Sequence, residues 1–251
     1  MSNFYYLSEK EFSAIKPYFP KSRGISRVDD RRVISGIIHV LKRGLQWRDA
    51  PKEYGPYKTL YNRFIRWSSK GVFHNIFTQL SQEQETYESL QIDSTCLKAH
   101  RTASSLLKKG DVPRAIGRTR GGLNTKLHAV CDEKARPIIL YISKGQMSDY
   151  RGARIIAKYL PPAKNLLADA GYDADWFREV LSEKGINSCI KPRKNRKKKV
   201  SFDRKLYKQR HKIENMFARM KDWRRIATRY DRQAHTFLSA ICIAAIVCYW
   251  I

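Results

Sequence analysis

The sequence predicts a mixed α/β protein with a smaller helical part at its N-terminus. Three observations point there. Helical apolar spacing dominates residues 1–85, with Val33, Ile34, Ile37, Ile38 and Leu41 as its clearest run. Short apolar strands then alternate with helices from residue 90 onward. Two of those strands run into an isolated acid, Asp93 after Ile92 and Asp169 after Leu166-Leu-Ala.

The helical part reads in order. Ser8 and Glu11 have the spacing of a capping box, opening a helix that stops before Pro17. Gly44 ends the second helix, because a residue without Cβ readily takes a left-handed C-terminal conformation. A third follows Gly55-Pro56 and stops at Gly71. Its apolar stripe, Tyr57, Leu60, Tyr61, Phe64 and Trp67, is expected to be core; Lys58, Asn62, Arg63 and Arg66 form the opposite face. The gap from Gly44 to Pro56 is longer than a usual helix-turn-helix turn, so the arrangement is expected to be a variant of it. The polar, acidic stretch Gln82 to Ser89 reads as a linker. The chain is thus expected to divide into a helical domain, 1–85, and an α/β domain, 86–251.

In the second part, strands are expected at Leu90–Asp93, Leu127–Cys131, Ile138–Ser143, Leu166–Ala168 and Asn187–Ile190. Helices are expected at Tyr150–Tyr159, Asp175–Lys184 and, as one long segment, from about Asp203 to Arg225. The mostly apolar tail Phe237–Ile251 falls short of the roughly 20 residues that cross a bilayer and reads as a buried helix.

Charge narrows the function. The 251 residues hold 50 Lys and Arg against 23 Asp and Glu, a formal net charge of +27. Such a field attracts polyanions, and solubility alone needs far less. Residues 191–232 concentrate it, with 18 basic and 4 acidic side chains. The run Lys191 to Lys199 reads as a solvated loop that needs an anion to order it. Nucleic acid is the leading partner. Five cysteines without a CxxC pair argue against a disulfide framework or a zinc site and fit a reducing cytosol. No secretory signal opens the chain, and no P-loop or GxSxG motif occurs.

The isolated acids are the remaining signal. Glu214 is the sole acid between Lys205 and Lys221. Each acid alone is explained by a salt bridge, since an unpaired buried carboxylate is costly. Three together fit another chemistry, the holding of two divalent ions for phosphoryl transfer, because hard ions take oxygen ligands. Tyr207, Arg210, Glu214 and Lys221 fall at helical spacing on one face. An Arg-Glu ladder explains two of these four and leaves Tyr207 and Lys221 over.

The pattern Tyr207-x2-Arg210-x3-Glu214-x6-Lys221 resembles the C-terminal signature of transposases of the insertion sequence 5 family, in the insertion sequence 4 superfamily. Gly121-Gly122-Leu-Asn-Thr-Lys-Leu-His128, Gly145-Gln-Met-Ser-Asp149, Leu167-Ala-Asp-Ala-Gly-Tyr-Asp173, Arg224-Arg-Ile-Ala-Thr-Arg-Tyr230 and Gly44-Leu-Gln-Trp-Arg-Asp-Ala-Pro51 resemble that family too, over nearly the whole chain. The resemblance implies an RNase H-like mixed sheet carrying a D-D-E triad, Asp93, Asp169 and Glu214, which would bind two Mg or Mn ions. It implies DNA contacts by Tyr207, Arg210 and Lys221. The N-terminal part resembles a helix-turn-helix-like module for the element's ends.

The expected activity is metal-dependent cleavage and strand transfer at terminal inverted repeats. A nuclease that only hydrolyses, or a non-catalytic DNA-binding regulator, are the alternatives. Lys58, Asn62, Arg63, Arg66 and the loop lysines Lys197, Lys198 and Lys199 are further candidate DNA contacts. The expected partners are double-stranded DNA, both element ends and target, and a second or further copy of the chain on that DNA. The expected location is bacterial cytoplasm, at the nucleoid and without membrane.

Overall fold

The computed structural model describes residues 4–21, 29–82, 84–105, 114–198 and 200–251. Two compact units form. One gathers residues 1–80, 100–112 and 220–251; the other gathers 81–99 and 113–219. This partition departs from a single cut at 85/86, because the C-terminal segment returns to the N-terminal helices.

In the first unit, Ser8 caps α1 (Glu9–Ile15) through the full capping box, its hydroxyl accepting from the Glu11 amide and the Glu11 carboxylate accepting from the Ser8 amide. Such a cap contributes about 1 kcal/mol. The helix α2 (Asp30–Arg43) ends at Gly44, whose φ of 78° is the left-handed conformation that glycine adopts without a Cβ penalty. The long gap after Gly44 holds two 3-10 turns, Trp47–Asp49 and Lys52–Tyr54. Helix α3 (Tyr57–Ser69) follows, then α4 (Val72–Ser81), which the sequence reading missed. Val72, Phe73, Ile76 and Phe77 of α4 are buried, so its apolar face belongs to the core.

The stripe on α3 needs a correction. Leu60, Phe64 and Trp67 are buried, but Tyr57 and Tyr61 are 41% and 43% exposed. A phenol is amphipathic, so aromatic periodicity alone does not decide burial. Short helix α5 (Arg101–Ser104) also belongs to this unit.

The second unit is a sheet with helices. Strand β1 (Tyr87–Ala99) pairs antiparallel with β3 (Gly122–Cys131), which pairs antiparallel with both β2 (Gly117–Thr119) and β4 (Pro137–Lys144). On its other edge β1 pairs parallel with β5 (Ala163–Ala168), and β5 with β6 (Asn187–Ile190). An antiparallel meander thus continues into two parallel strands, with β1 in the middle. The parallel neighbours need crossovers, and helices α6 (Asp149–Ile156) and α7 (Asp175–Glu183) lie in them. Gly152 on α6 faces His128 of β3, where a Cβ would come within 2.3 Å of Nδ1, so only glycine allows this approach.

Two expectations change here. Strand β1 starts at Tyr87, inside the stretch read as a linker, because Tyr87 is buried and its hydroxyl donates to the Ser81 carbonyl. That strand also runs six residues past Asp93, so the acid lies in mid-strand rather than at a strand end.

The long helix expected from Asp203 to Arg225 is broken. Asp203 caps α8 (Arg204–Tyr207), a 3-10 turn covers Lys208–Arg210, and α9 (His211–Lys221) precedes α10 (Arg224–Ala227). The final helix α11 (Ala234–Tyr249) is buried from Thr236 through Ile246 apart from Leu238 and packs on α2 and α3 in the first unit. Among the described residues no helix is long and apolar enough to cross a membrane. All five cysteines are free.

Candidate active site

Asp93 stands on the central strand with its side chain only 20% exposed. Its carboxyl is pushed up to about 6. Burial is the main cause, and Asp169 and Asp149 add to it; the Ser94 amide and Arg210 oppose it. Asp169 directly follows β5, the parallel neighbour of β1, and caps the turn Ala170–Tyr172 by accepting from the Gly171 amide at 2.8 Å. The buried Tyr172 phenol reports the same convergence. Burial raises it first, and the charges of Asp149, Asp93 and Asp169 raise it further.

Glu214 reaches this group through Arg210. Arg210 Nη1 lies 3.0 Å from Asp93 Oδ2, and Nη2 donates to Glu214 Oε1 one helical turn on. The guanidinium therefore ties the central strand to the first turn of α9. Glu214 lies in the first turn of α9.

Asp149 is the acid that sequence reasoning missed. It opens α6 after the Ser148 cap, accepts from the Ser94 hydroxyl and pairs with Lys126 at 3.2 Å. A Cβ on Gly171 would meet Asp169 Oδ1 at 2.9 Å and Asp149 Oδ2 at 3.5 Å, so both acids border that glycine. The available signal was the Gly145–Asp149 stretch, where the acid follows a capping serine.

The donor chemistry suits hard divalent ions, since Asp93, Asp169 and Glu214 offer carboxylate oxygens. Among the described residues, however, no three such side chains stand together at metal-holding distances. Arg210 supplies the positive charge between Asp93 and Glu214 instead.

The remaining candidates separate. Tyr207 closes α8, with Phe202 edge-on to its ring at 5.3 Å. Because a 3-10 turn follows, it is offset from the regular face expected of it. Lys221 ends α9 and groups with the first unit. On α3, Lys58, Asn62 and Arg66 are exposed, while Arg63 is held by Asp30 at 2.9 Å and lies over the Trp67 ring. Lys197 and Lys198 are exposed; Lys199 lies outside the described residues.

The loop carrying those lysines has its own anion. Asp173 is buried and accepts from Arg178, from Arg196 at 2.8 Å and from the Arg193 amide at 2.9 Å. Arg196 also pairs with Asp175. Burial opposes the charge on Asp173, but these donors prevail and hold its carboxyl below the usual range.

The sheet unit thus carries an aspartate in mid-sheet, a second directly after the adjacent parallel strand, and a glutamate on α9 bridged to the first by Arg210. Residues 85–249 match the family described as "Transposase DDE domain", and residues 7–77 match "Putative transposase of IS4/5 family (DUF4096)". The chain belongs to the DDE transposases, enzymes of DNA cleavage and strand transfer, whose chemistry depends on divalent metal.

The "Putative transposase for insertion sequence element IS6501" of Brucella ovis is 33% identical over 49% of this chain and 95% of its own length. A Sinorhizobium fredii protein, y4sN, is 30% identical over 43% of this chain and 90% of its own. In fold alone the chain is similar to the piggyBac transposase of a synaptic complex with hairpin DNA, at a TM-score of 0.54 and 10% identity, covering 94% of this chain and 69% of that one.

Proposed function

We propose that this transposase binds the terminal inverted repeats of its own element, cleaves the DNA there and joins the freed ends to a target. The observation that supports the reading is the Arg210 guanidinium bridging Asp93 to Glu214, with the charge of Asp169 adding to the raised Asp93 carboxyl. In this proposal the three carboxylates hold two Mg or Mn ions. When bound, such ions activate the attacking oxygen and stabilise the leaving one.

The chain's own residues do the rest. Asp93 gives up its bridge to Arg210, which turns its guanidinium to a phosphate, a planar fork suited to paired oxygens. Tyr207 and Lys221 contact the same strand. Lys197, Lys198 and Lys199 track the backbone, and Lys58, Asn62, Arg63 and Arg66 on α3 contact the element's ends. In the same proposal recognition falls to the helices of residues 1–85 and chemistry to the sheet unit that follows them. The chain acts as a dimer or higher oligomer on DNA, as two ends must be handled together.

A strand-transfer assay with labelled ends and a target plasmid tests this. Joined product is expected in Mg or Mn. Cleaved ends without joining would identify a nuclease, and binding without cleavage a regulator. Chelator should abolish both products; full cleavage in its presence would overturn the metal-dependent scheme.

A further inference from the structure

The first unit contains a cleft of about 1110 Å³, above the roughly 300–1,000 Å³ of typical small-molecule sites. Its aromatic lining is unusual for a solvent-facing surface. Tyr57 and Tyr61 project from α3 one helical turn apart, and Tyr230 joins them, all three more than a third exposed. Trp47 completes the set, with Tyr61 packed edge-on at 5.6 Å. Lys58, Arg48 and Arg232 line the same cleft and are exposed.

The wall is preorganised. The buried Arg225 guanidinium lies 5.4 Å from the ring centres of both Trp47 and Tyr230 and donates to the Leu45 carbonyl at 2.9 Å. Asp231 is buried behind this wall, its Oδ1 3.8 Å from Arg225 Nη2.

These features suit a particular ligand chemistry. Rings in a concavity give stacking platforms, which a duplex cannot use because its base faces are already stacked. Neighbouring Lys and Arg neutralise phosphates. We propose that this cleft binds single-stranded DNA, stacking unstacked bases on Tyr57 and Tyr61 beside Tyr230 and Trp47, with Lys58, Arg48 and Arg232 on its phosphates. The inference rests on the DNA-processing reading above and adds the strand state of the substrate.

The test measures binding of the full chain, without metal, to a short single-stranded oligonucleotide, to the same oligonucleotide with its bases removed, to its RNA counterpart and to a duplex. Wild type should bind the base-bearing strand roughly 5-fold or more tightly than the abasic one, the expected effect of stacking one base. Tyr57→Ala with Tyr61→Ala should remove that preference, leaving the salt slope and duplex affinity unchanged, while Tyr61→Phe retains it. Quenching of Trp fluorescence by the base-bearing strand alone is the independent wild-type readout.

Equal affinity for the base-bearing and abasic strands, or a preference that survives in the double variant, would overturn the proposal. Tighter binding of the RNA would overturn the assignment to DNA. Duplex binding without any base preference sinks the cleft and leaves the transposase reading intact; failure to bind any DNA sinks that reading itself.

Discussion

Arg210 Nη1 lies 3.0 Å from Asp93 Oδ2 across 117 residues of sequence. The same guanidinium holds Glu214, so one cation joins the middle of the sheet to the start of α9. Such a bridge steadies two acids in the resting protein.

Substituting the carboxylates should separate chemistry from binding. Asp93→Asn, Asp169→Asn and Glu214→Gln should each lower cleavage by roughly 10⁴-fold, the scale of losing a residue that acts as part of a unit. Duplex affinity in gel-shift measurements should stay within a few-fold. Wild-type cleavage by any of the three would remove that residue from the triad.

The raised Asp93 carboxyl makes stability pH-dependent. Its folded-state value, about 6, exceeds the ordinary 3.8, so between these values the native state binds more protons than the unfolded one. In metal-free protein its contribution therefore becomes less favourable as pH rises from about 4 to 6, then levels off. Asp93→Asn should stabilise the metal-free protein at pH 8 by up to about 3 kcal/mol and do little at pH 4. Urea unfolding at both pH values checks this. Asp149→Asn should lower the Asp93 value and Arg210→Ala should raise it, as carboxyl NMR titration would read.

Asp173 works in the opposite sense. Its folded-state carboxyl is depressed, so its stabilisation is present above the ordinary carboxylate value and is lost as pH falls through the folded one. Asp173→Asn leaves Arg178 and Arg196 short of their shared anion and should cost about 3–5 kcal/mol, the scale of breaking a buried pair. Thermal unfolding measures it, and protease cleavage between 191 and 198 should quicken.

Lys197→Ala with Lys198→Ala should reduce affinity for all duplex sequences and flatten the slope of log affinity against log salt by up to roughly 2, at about 0.9 per phosphate. A salt titration on end and random DNA reads it. An unchanged slope would leave the loop as solvated surface.

On α3 the two arginines should behave differently. Arg66→Ala should weaken preference for the element's ends with little change in stability, because Arg66 is exposed. Arg63→Ala should also destabilise, because it removes the 2.9 Å ion pair with the half-buried Asp30 and the cation over the Trp67 ring. Comparing unfolding with end binding for both variants separates the roles.

Local pattern made much of this legible. The capping box at Ser8, the glycine stop at Gly44 and the β6 strand follow from chemistry within a few residues, and each stands where the sequence placed it. The three candidate acids were also visible, isolated among apolar or basic neighbours. The D-D-E assignment itself came from the resemblance, since isolation alone is equally met by a salt bridge.

Local pattern could not settle which half of an amphipathic residue faces the core, nor which distant groups meet. Tyr57 and Tyr61 share the periodicity of Leu60 and Phe64, yet they stay exposed. Asp149 joins the carboxylates only because α6 packs on β3 through Gly152 and starts beside Ser94 and Lys126. Helix caps, strand runs and net charge act over short distances or sum over the whole chain, so the sequence by itself determined the α/β class, the elements and the attraction to polyanions. The Arg210 bridge, the anchoring of the basic loop on Asp173 and the aromatic cleft need pairings between residues far apart along the chain, which only the tertiary structure decided.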